Sequence, residues 1–151
     1  MIALRYATPA DADRLFAWRN DPVTRAAFRS TAPISREEHD RWMKFNVTDG
    51  YAEHVVLIAE MEEGAVGVVR FDANKKDVME YEVSLTIAPE FRGFGFAQDV
   101  LSRACDMIED FALTAQIRTE KAASQKAFRS CGFSIVGGDH HFINYRRRAP
   151  G

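Results

Sequence analysis

Long apolar runs, paired cysteines, a surplus of one charge and metal-ligand spacings are all missing from this chain of 151 residues. No stretch approaches the roughly 20 apolar residues that cross a bilayer, and nothing apolar follows Met1-Ile2-Ala3-Leu4-Arg5 as it would in an export signal. The two cysteines are Cys105, inside a helix-like segment, and Cys131, just before Gly132. So placed they make neither a disulfide framework nor a zinc site, and they read as buried thiols of a cytoplasmic protein. His39, His54, His140 and His141 form no ligand constellation, the adjacent pair pointing to opposite faces of an expected strand, so no metal is expected. A net charge of −2 and a pI near 6.1 offer no electrostatic reason to bind nucleic acid or a membrane surface. Arg146-Arg147-Arg148 is the one strongly basic run and reads as a solvated chain end.

What is present suits one globular domain over residues 1–151, with 46% hydrophobic and 28% charged residues. Ile2 to Ala7 reads as a first strand. Thr8-Pro9-Ala10-Asp11 then opens a helix, with Thr8 as cap, Pro9 in the first turn and Asp11 near the positive end of the dipole. That helix runs to about Asn20 and breaks at Asp21-Pro22, with a short helical segment expected around Val23 to Phe28. Ser35-Arg36-Glu37-Glu38 has capping-box spacing and opens a helix over Arg36 to Asn46. The period then changes to two. His54 to Ala59, Ala65 to Phe71 and Tyr81 to Ile87 read as an antiparallel meander, the first two strands joined across Glu62-Glu63-Gly64. A helix over Gln98 to Phe111, a strand over Thr114 to Thr119, a helix over Ala122 to Cys131, and strands at Ser134-Ile135-Val136 and His141 to Arg146 complete the order.

The chemistry concentrates between the third meander strand and the helix after it, at Ile87-Ala88-Pro89-Glu90-Phe91-Arg92-Gly93-Phe94-Gly95-Phe96-Ala97. A strand, a turn punctuated by Gly93 and Gly95, and a helix start bring successive N–H groups and the positive end of a helix dipole together, which suits an anion such as a diphosphate. The Gly-Lys-Ser/Thr ending of a nucleoside-triphosphate loop is absent, as are the three spaced glycines of the dinucleotide fingerprint. On the preceding strand Glu82, Ser84 and Thr86 share one face, and Val83, Leu85 and Ile87 the other. A carboxylate on the polar face suits a general base, with Glu80 as the fallback on the same face.

Arg92-x-x-Gly95-x-Ala97 after Ile87-Ala88-Pro89 resembles the acetyl-coenzyme A loop of the GCN5-related N-acetyltransferases (GNAT). Glu120-Lys121-Ala122-Ala123-Ser124, a helix and Gly132-Phe133 resemble that family's closing motif. The resemblance implies an α/β (α+β) fold with a mixed sheet of about seven strands flanked by about four helices. It also implies an N-acetyltransferase using acetyl-CoA as cosubstrate. Backbone groups of Leu85 and Ile87, the loop residues Arg92, Gly93, Phe94, Gly95, Phe96 and Ala97, and Lys121, Ser124 and Phe128 would bind the cofactor. Glu82, seven residues before the loop proline, would be the catalytic base. Two positions depart from the pattern: Lys121 stands where the family usually has asparagine, and Phe128 where many members have a tyrosine that protonates the leaving thiolate. Phenylalanine has no proton to give, which leaves Ser124, Tyr81, Tyr145, a water or an unprotonated departure.

Trp18-Arg19-Asn20-Asp21-Pro22 and Ile34-Ser35-x-x-Glu38-His39-x-x-Trp42 resemble one branch of the family, the nucleotide-sugar N-acetyltransferases of the pseudaminic acid pathway. The implied acceptor is a UDP-linked 4-amino-4,6-dideoxy hexose. Trp18 and Trp42 would stack on its rings, Arg19 and Arg25 would meet its diphosphate, and Asn20 and His39 would bond its hydroxyls. Two alternatives stand beside this reading: a protein N-terminal acetyltransferase of the ribosomal-protein kind, and a module that binds acetyl-CoA without turnover. No nucleic-acid or membrane partner is expected, and the chain would act as a monomer or as a homodimer through edge strands.

Overall fold

The period-two segments become three long antiparallel strands in the computed structural model, which describes residues 1–48 and 53–149. They are β2 (His54–Met61), β3 (Gly64–Asn74) and β4 (Asp77–Ile87). With β1 (Ala3–Tyr6), β5 (Ala112–Arg118), β6 (Ser134–Gly138) and β7 (Phe142–Arg147) they form a seven-stranded sheet in the order β1-β2-β3-β4-β5-β7-β6. The sheet is mixed: β4 and β5 run parallel, and the other neighbours antiparallel.

Five α-helices flank it among the described residues: α1 (Ala12–Asn20), α2 (Pro22–Ala27), α3 (Arg36–Met43), α4 (Phe96–Asp106) and α5 (Ala122–Ser130). The short helical segment expected around Val23 to Phe28 is α2, a helix of its own beginning at Pro22, so Asp21-Pro22 starts a helix as well as ending one. The Asp21 carboxylate accepts from the Thr24 N–H at 3.1 Å, and Pro22 occupies the first turn, where no N–H is needed.

Alternation sends the strands' side chains to two cores. On one face Leu57, Val69, Phe71 and Val83 pack with Val100, Leu101, Ala104 and Cys105 of α4, and Phe128 and Phe133 extend this cluster. On the other face Ile58 and Ala88 pack with Leu15 and Trp18 of α1 and Met43 of α3. That second face is the one to which Glu82, Ser84 and Thr86 point.

Several boundaries differ from the sequence reading. β3 and β4 extend to a turn at Lys75 and Lys76, because Asn74 Oδ1 accepts from the Lys76 N–H at 2.9 Å and Asp77 Oδ1 from the Met79 N–H at 3.0 Å. α4 starts at Phe96 and ends at Asp106, and α3 ends at Met43 in a π-turn over Lys44–Thr48 instead of running to Asn46. Ser35 caps α3 by accepting from the Glu38 N–H at 3.1 Å; Glu38 returns to the Ser35 hydroxyl at 3.4 Å, where the capping box would have it reach the N–H. His140 and His141 lie in the turn before β7, outside any strand, where the Asp139 carboxylate accepts from the N–H groups of His141 and Phe142. Arg146 and Arg147 belong to β7, with Arg146 paired to Glu80 at 3.5 Å, so the basic run is only partly a free end. Both thiols are free; burial pushes Cys105 up to about 12, while Cys131 is half-buried. Among the described residues no helix is long and apolar enough to cross a membrane.

The joint between β1 and α1 depends on Asp11, which is 2% exposed. Its carboxylate accepts from Arg5 at 2.8 Å through both oxygens, from Arg14 at 2.7 Å and from the Thr8 N–H at 2.8 Å. The Arg5 hydrogen bond chiefly, then Thr8 and Arg14, hold it down at about 2. Replacing Asp11 by Ala removes the buried carboxylate that accepts from two arginines and the Thr8 N–H, and is expected to cost about 1–3 kcal/mol in urea unfolding. Because the folded value lies below that of an unfolded aspartate, this contribution is complete above about pH 4 and fades as pH falls toward about 2. The gap between wild type and variant therefore narrows over that window.

Candidate functional site

The parallel pairing of β4 with β5 is short, running through Glu80–Ala112, Tyr81–Leu113 and Glu82–Thr114 and then stopping. Beyond it β5 pairs only with β7, and β4 only with β3, so the two strands part and the β5-facing N–H and C=O groups of β4 after Glu82 have no strand partner. The gap opens into a cleft of about 820 Å³. Its walls are Glu82 to Ile87 of β4, Gln116 to Arg118 of β5, the loop from Phe91 to Gln98, and Lys121, Ser124 and Phe128 at α5.

At one end of the cleft lies the expected anion cradle. Gly93 and Gly95 have φ of 82° and 80°, left-handed values that glycine reaches without strain. Gly95 is the residue before α4, and no side chain caps that helix, so its first N–H groups stay available for a phosphate. Phe94 is 70% exposed beside Phe96, with ring centroids 6.0 Å apart. The Arg92 side chain turns away from the cradle, donating to Asp21 Oδ2 and Thr24 Oγ1, each at 2.8 Å. Arg92 thus ties the loop to α2, and among the loop's contributions to a ligand its guanidinium is already committed.

In the middle of the cleft stands Glu82. It is exposed to the open gap, yet burial of its surroundings pushes its carboxyl above the ordinary range, and Asp72 directly across the strand pair pushes it the same way against the pull of Arg70 and Arg29. Asp72 is held in turn by Arg70 Nε at 2.8 Å and lies 2.8 Å from His54 Nδ1. A reading of β4 alone misses these three residues; the signal for them is strand register, which sets Arg70 against Ser84 and Asp72 against Glu82. Glu80, the fallback base, is taken up by Asn74 at 3.2 Å and Arg146 at 3.5 Å.

Beyond Ser84 and Thr86 the cleft ends in a side chamber of about 70 Å³ under α1 and α3. Arg19, His39 and Trp42 line it as expected, with the His39 and Trp42 rings stacked 5.5 Å apart. The structure places the other N-terminal candidates differently. Trp18 is 7% exposed and packs in the second core, touching the chamber only as wall. Asn20 is spent closing the loop after it, donating to the Ile34 carbonyl at 2.9 Å and accepting from the Ile34 N–H at 2.8 Å. Arg25 donates to the carbonyls of Asn20 and Thr31 at 3.1 and 3.4 Å. At the α5 side Phe128 is 2% exposed and meets Phe133 edge-on at 5.0 Å. Of the remaining proton-donor candidates, Tyr145 is buried and donates to Gln125 at 3.1 Å, and Tyr81 is buried against Phe111.

A glycine turn at an uncapped helix start, a carboxyl with raised pKa at a strand fork, and a small side chamber beyond it lie along one cleft, an arrangement suited to transfer between two substrates. The acetyltransferase (GNAT) domain model matches residues 2–134. The chain belongs to the GNAT acetyltransferase family. This GNAT enzyme superposes on a spermidine N-acetyltransferase from Vibrio cholerae in complex with CoA and spermine, with TM-score 0.83 and 18% identity over 96% of this chain and 93% of that one. A ribosomal-protein-alanine N-acetyltransferase from Brucella melitensis gives TM-score 0.81 and 25% identity, covering 97% and 99%. A phosphinothricin acetyltransferase from Sinorhizobium meliloti in complex with acetyl-CoA gives 0.80 and 21%, covering 97% and 87%. Comparison with curated sequences finds no match. Acetyl-CoA is the cosubstrate, and the uncapped start of α4 and the unpaired edge of β4 are the groups that fit its phosphate and amide portions.

Two outcomes follow. In Gly95→Ala the new Cβ meets nothing within 4 Å of the protein, so the penalty is the left-handed φ, about 1 kcal/mol; a free loop that relaxes out of that conformation must recover it on binding, and the acetyl-CoA dissociation constant is expected to rise by up to about fivefold by calorimetry. In Asp72→Asn a charge that raises Glu82 is lost while Arg70 stays, so the acid limb of the kcat/KM profile is expected to move to lower pH.

Proposed function

We propose that this acetyltransferase acts by direct transfer onto a primary amine of a small acceptor, with Glu82 taking the amine's proton through water. The observation that carries the reading is the position of Glu82. It stands where β4 and β5 part, between the cradle and the chamber, with its carboxyl raised toward the pH at which a base works. Acetyl-CoA supplies the acetyl group activated as a thioester. The chain's own part is to orient and to stabilise. N–H groups of β4 between Leu85 and Ile87, without partners on β5, are available to the developing oxyanion, and the cradle holds the far end of the cosubstrate still. Ser124 is the remaining hydroxyl of the expected donor set on the cleft wall, and a thiol of pKa near 8.5 also leaves without an acid.

The finer acceptor suggested by the N-terminal blocks is a nucleotide-linked 4-amino-4,6-dideoxy sugar. Arg29 and Arg118, each over the Phe142 ring at 4.1 and 4.8 Å on the cleft wall, are the cations there that support an acceptor bearing phosphates, although Arg29 is also paired with Asp139 and Arg118 donates to the Phe28 carbonyl. The commitments of Trp18, Asn20 and Arg25 remove half of the expected sugar wall, and a chamber of only about 70 Å³ supports a smaller group there.

The test is thiol release from acetyl-CoA with UDP-linked 4-amino sugars, amino acids, spermidine and peptides beginning with alanine. Turnover of at least one small amine is expected, with kcat reduced about 10²–10⁴-fold in Glu82→Gln and acetyl-CoA affinity retained. Turnover of peptides alone would overturn the small-acceptor reading, and a Glu82→Gln variant of unchanged kcat would overturn the base.

A further inference from the structure

The side chamber holds an unanswered charge. Arg19 Nη1 is buried with no hydrogen-bond partner, and His39 Nδ1, in a residue 2% exposed, is likewise buried and unpaired. The charges felt by Arg19 are those of Arg70 and Arg25, both of its own sign, and they add to burial in lowering its pKa. Among the described residues Arg19 forms no ion pair, its one close partner being the Phe28 ring at 4.1 Å. Arg70, which also lines the chamber, is balanced through Asp72; Arg19 is not. No aspartate or glutamate stands among the chamber's lining residues.

A guanidinium nitrogen held out of water beside an aromatic face, with no hydrogen-bond partner and no carboxylate, is costly unless something fills the vacancy. The rest of the chamber says how large that something is: about 70 Å³, with Leu15, Trp18 and Val68 as apolar walls and Ser84 and Thr86 as the polar floor. A carboxylate fits both the size and the planar donor edge of arginine. The floor residues share the β4 face with Glu82, and Ser84 is two residues, about 7 Å, along the strand from it. An acceptor anchored in the chamber by its acid end therefore presents its other end toward the base.

We propose that the acceptor is an amino carboxylate, whose carboxylate seats in the chamber against Arg19 while its amine faces Glu82. This rests on the small-amine reading above and narrows it. The same geometry disfavours polyamines, since a second cation would enter a chamber already walled by Arg19 and Arg70.

The chain has two tryptophans, Trp18 and Trp42, and both line the chamber, so tryptophan fluorescence reads its occupancy without turnover. With CoA bound, the probes are leucine, methionine and an ω-series from β-alanine to 6-aminohexanoate, each beside its carboxamide. Saturable fluorescence change with at least one carboxylate, tenfold or more weaker with the matching carboxamide, is expected. In Arg19→Met that preference should fall below about twofold, and in Arg19→Lys, which keeps the charge but loses the planar edge, it should be intermediate. CoA affinity in each variant reports that the fold is intact. No saturable change with any carboxylate, or a preference that survives Arg19→Met, overturns the proposal. Carboxylate binding without thiol release leaves the anion site standing and sinks the small-amine transfer reading, so the two failures are distinct.

Discussion

Two parallel strands that pair for three residues and then separate are the constraint on which the rest of this molecule depends. Were β4 and β5 to stay paired, the backbone groups between Leu85 and Ile87 would be used up and no cleft would exist. Their parting leaves unpaired amides in a sheet interior, an arrangement that backbone hydrogen bonding tolerates only where a ligand or water takes the vacant places. The turn at Gly93–Gly95 and the uncapped start of α4 follow at the end of the same strand, so the fork and the helix start bring free amide donors to one continuous cleft.

The other side of the fork is organised by strand register. β3 and β4 set Val68 against Thr86, Arg70 against Ser84 and Asp72 against Glu82, a ladder that passes from apolar to cationic to acidic along one face. The acidic rung raises the Glu82 carboxyl, and the cationic rung forms the floor of the chamber where Arg19 descends from α1. The Glu82 carboxyl and the Arg70 guanidinium are thus held on neighbouring rungs of paired strands, which limits how far either can drift. Arg92 couples the two sides of the cleft by holding α2 through Asp21 and Thr24, which ties the glycine loop to that helix.

Much of this was legible in the residues. The meander, the glycine turn and the helix after it announce themselves through period and through φ-permissive positions, which are local properties. The polar face Glu82-Ser84-Thr86 is likewise local, because alternation along one strand needs no knowledge of its neighbours. Less legible were the ends of elements: β3 and β4 were extended by Asn74 and Asp77, whose side chains close a tight turn, and α2 was a helix of its own because Asp21 caps what Pro22 begins.

The amino-acid sequence by itself determined the succession of strands and helices and the glycine turn before α4, since period, caps and φ-permissive positions are local properties of the chain. Tertiary structure alone decided which N-terminal side chains reach the site. Trp18, Arg19, Asn20 and Arg25 lie on neighbouring turns with similar chemistry to offer, yet Trp18 is drawn into the core and Asn20 and Arg25 into loop carbonyls, leaving Arg19 unsatisfied in the chamber. Only the assembled molecule sets that difference, because whether a polar group is free depends on every potential partner within about 3 Å of it, and those partners come from segments far apart in the chain.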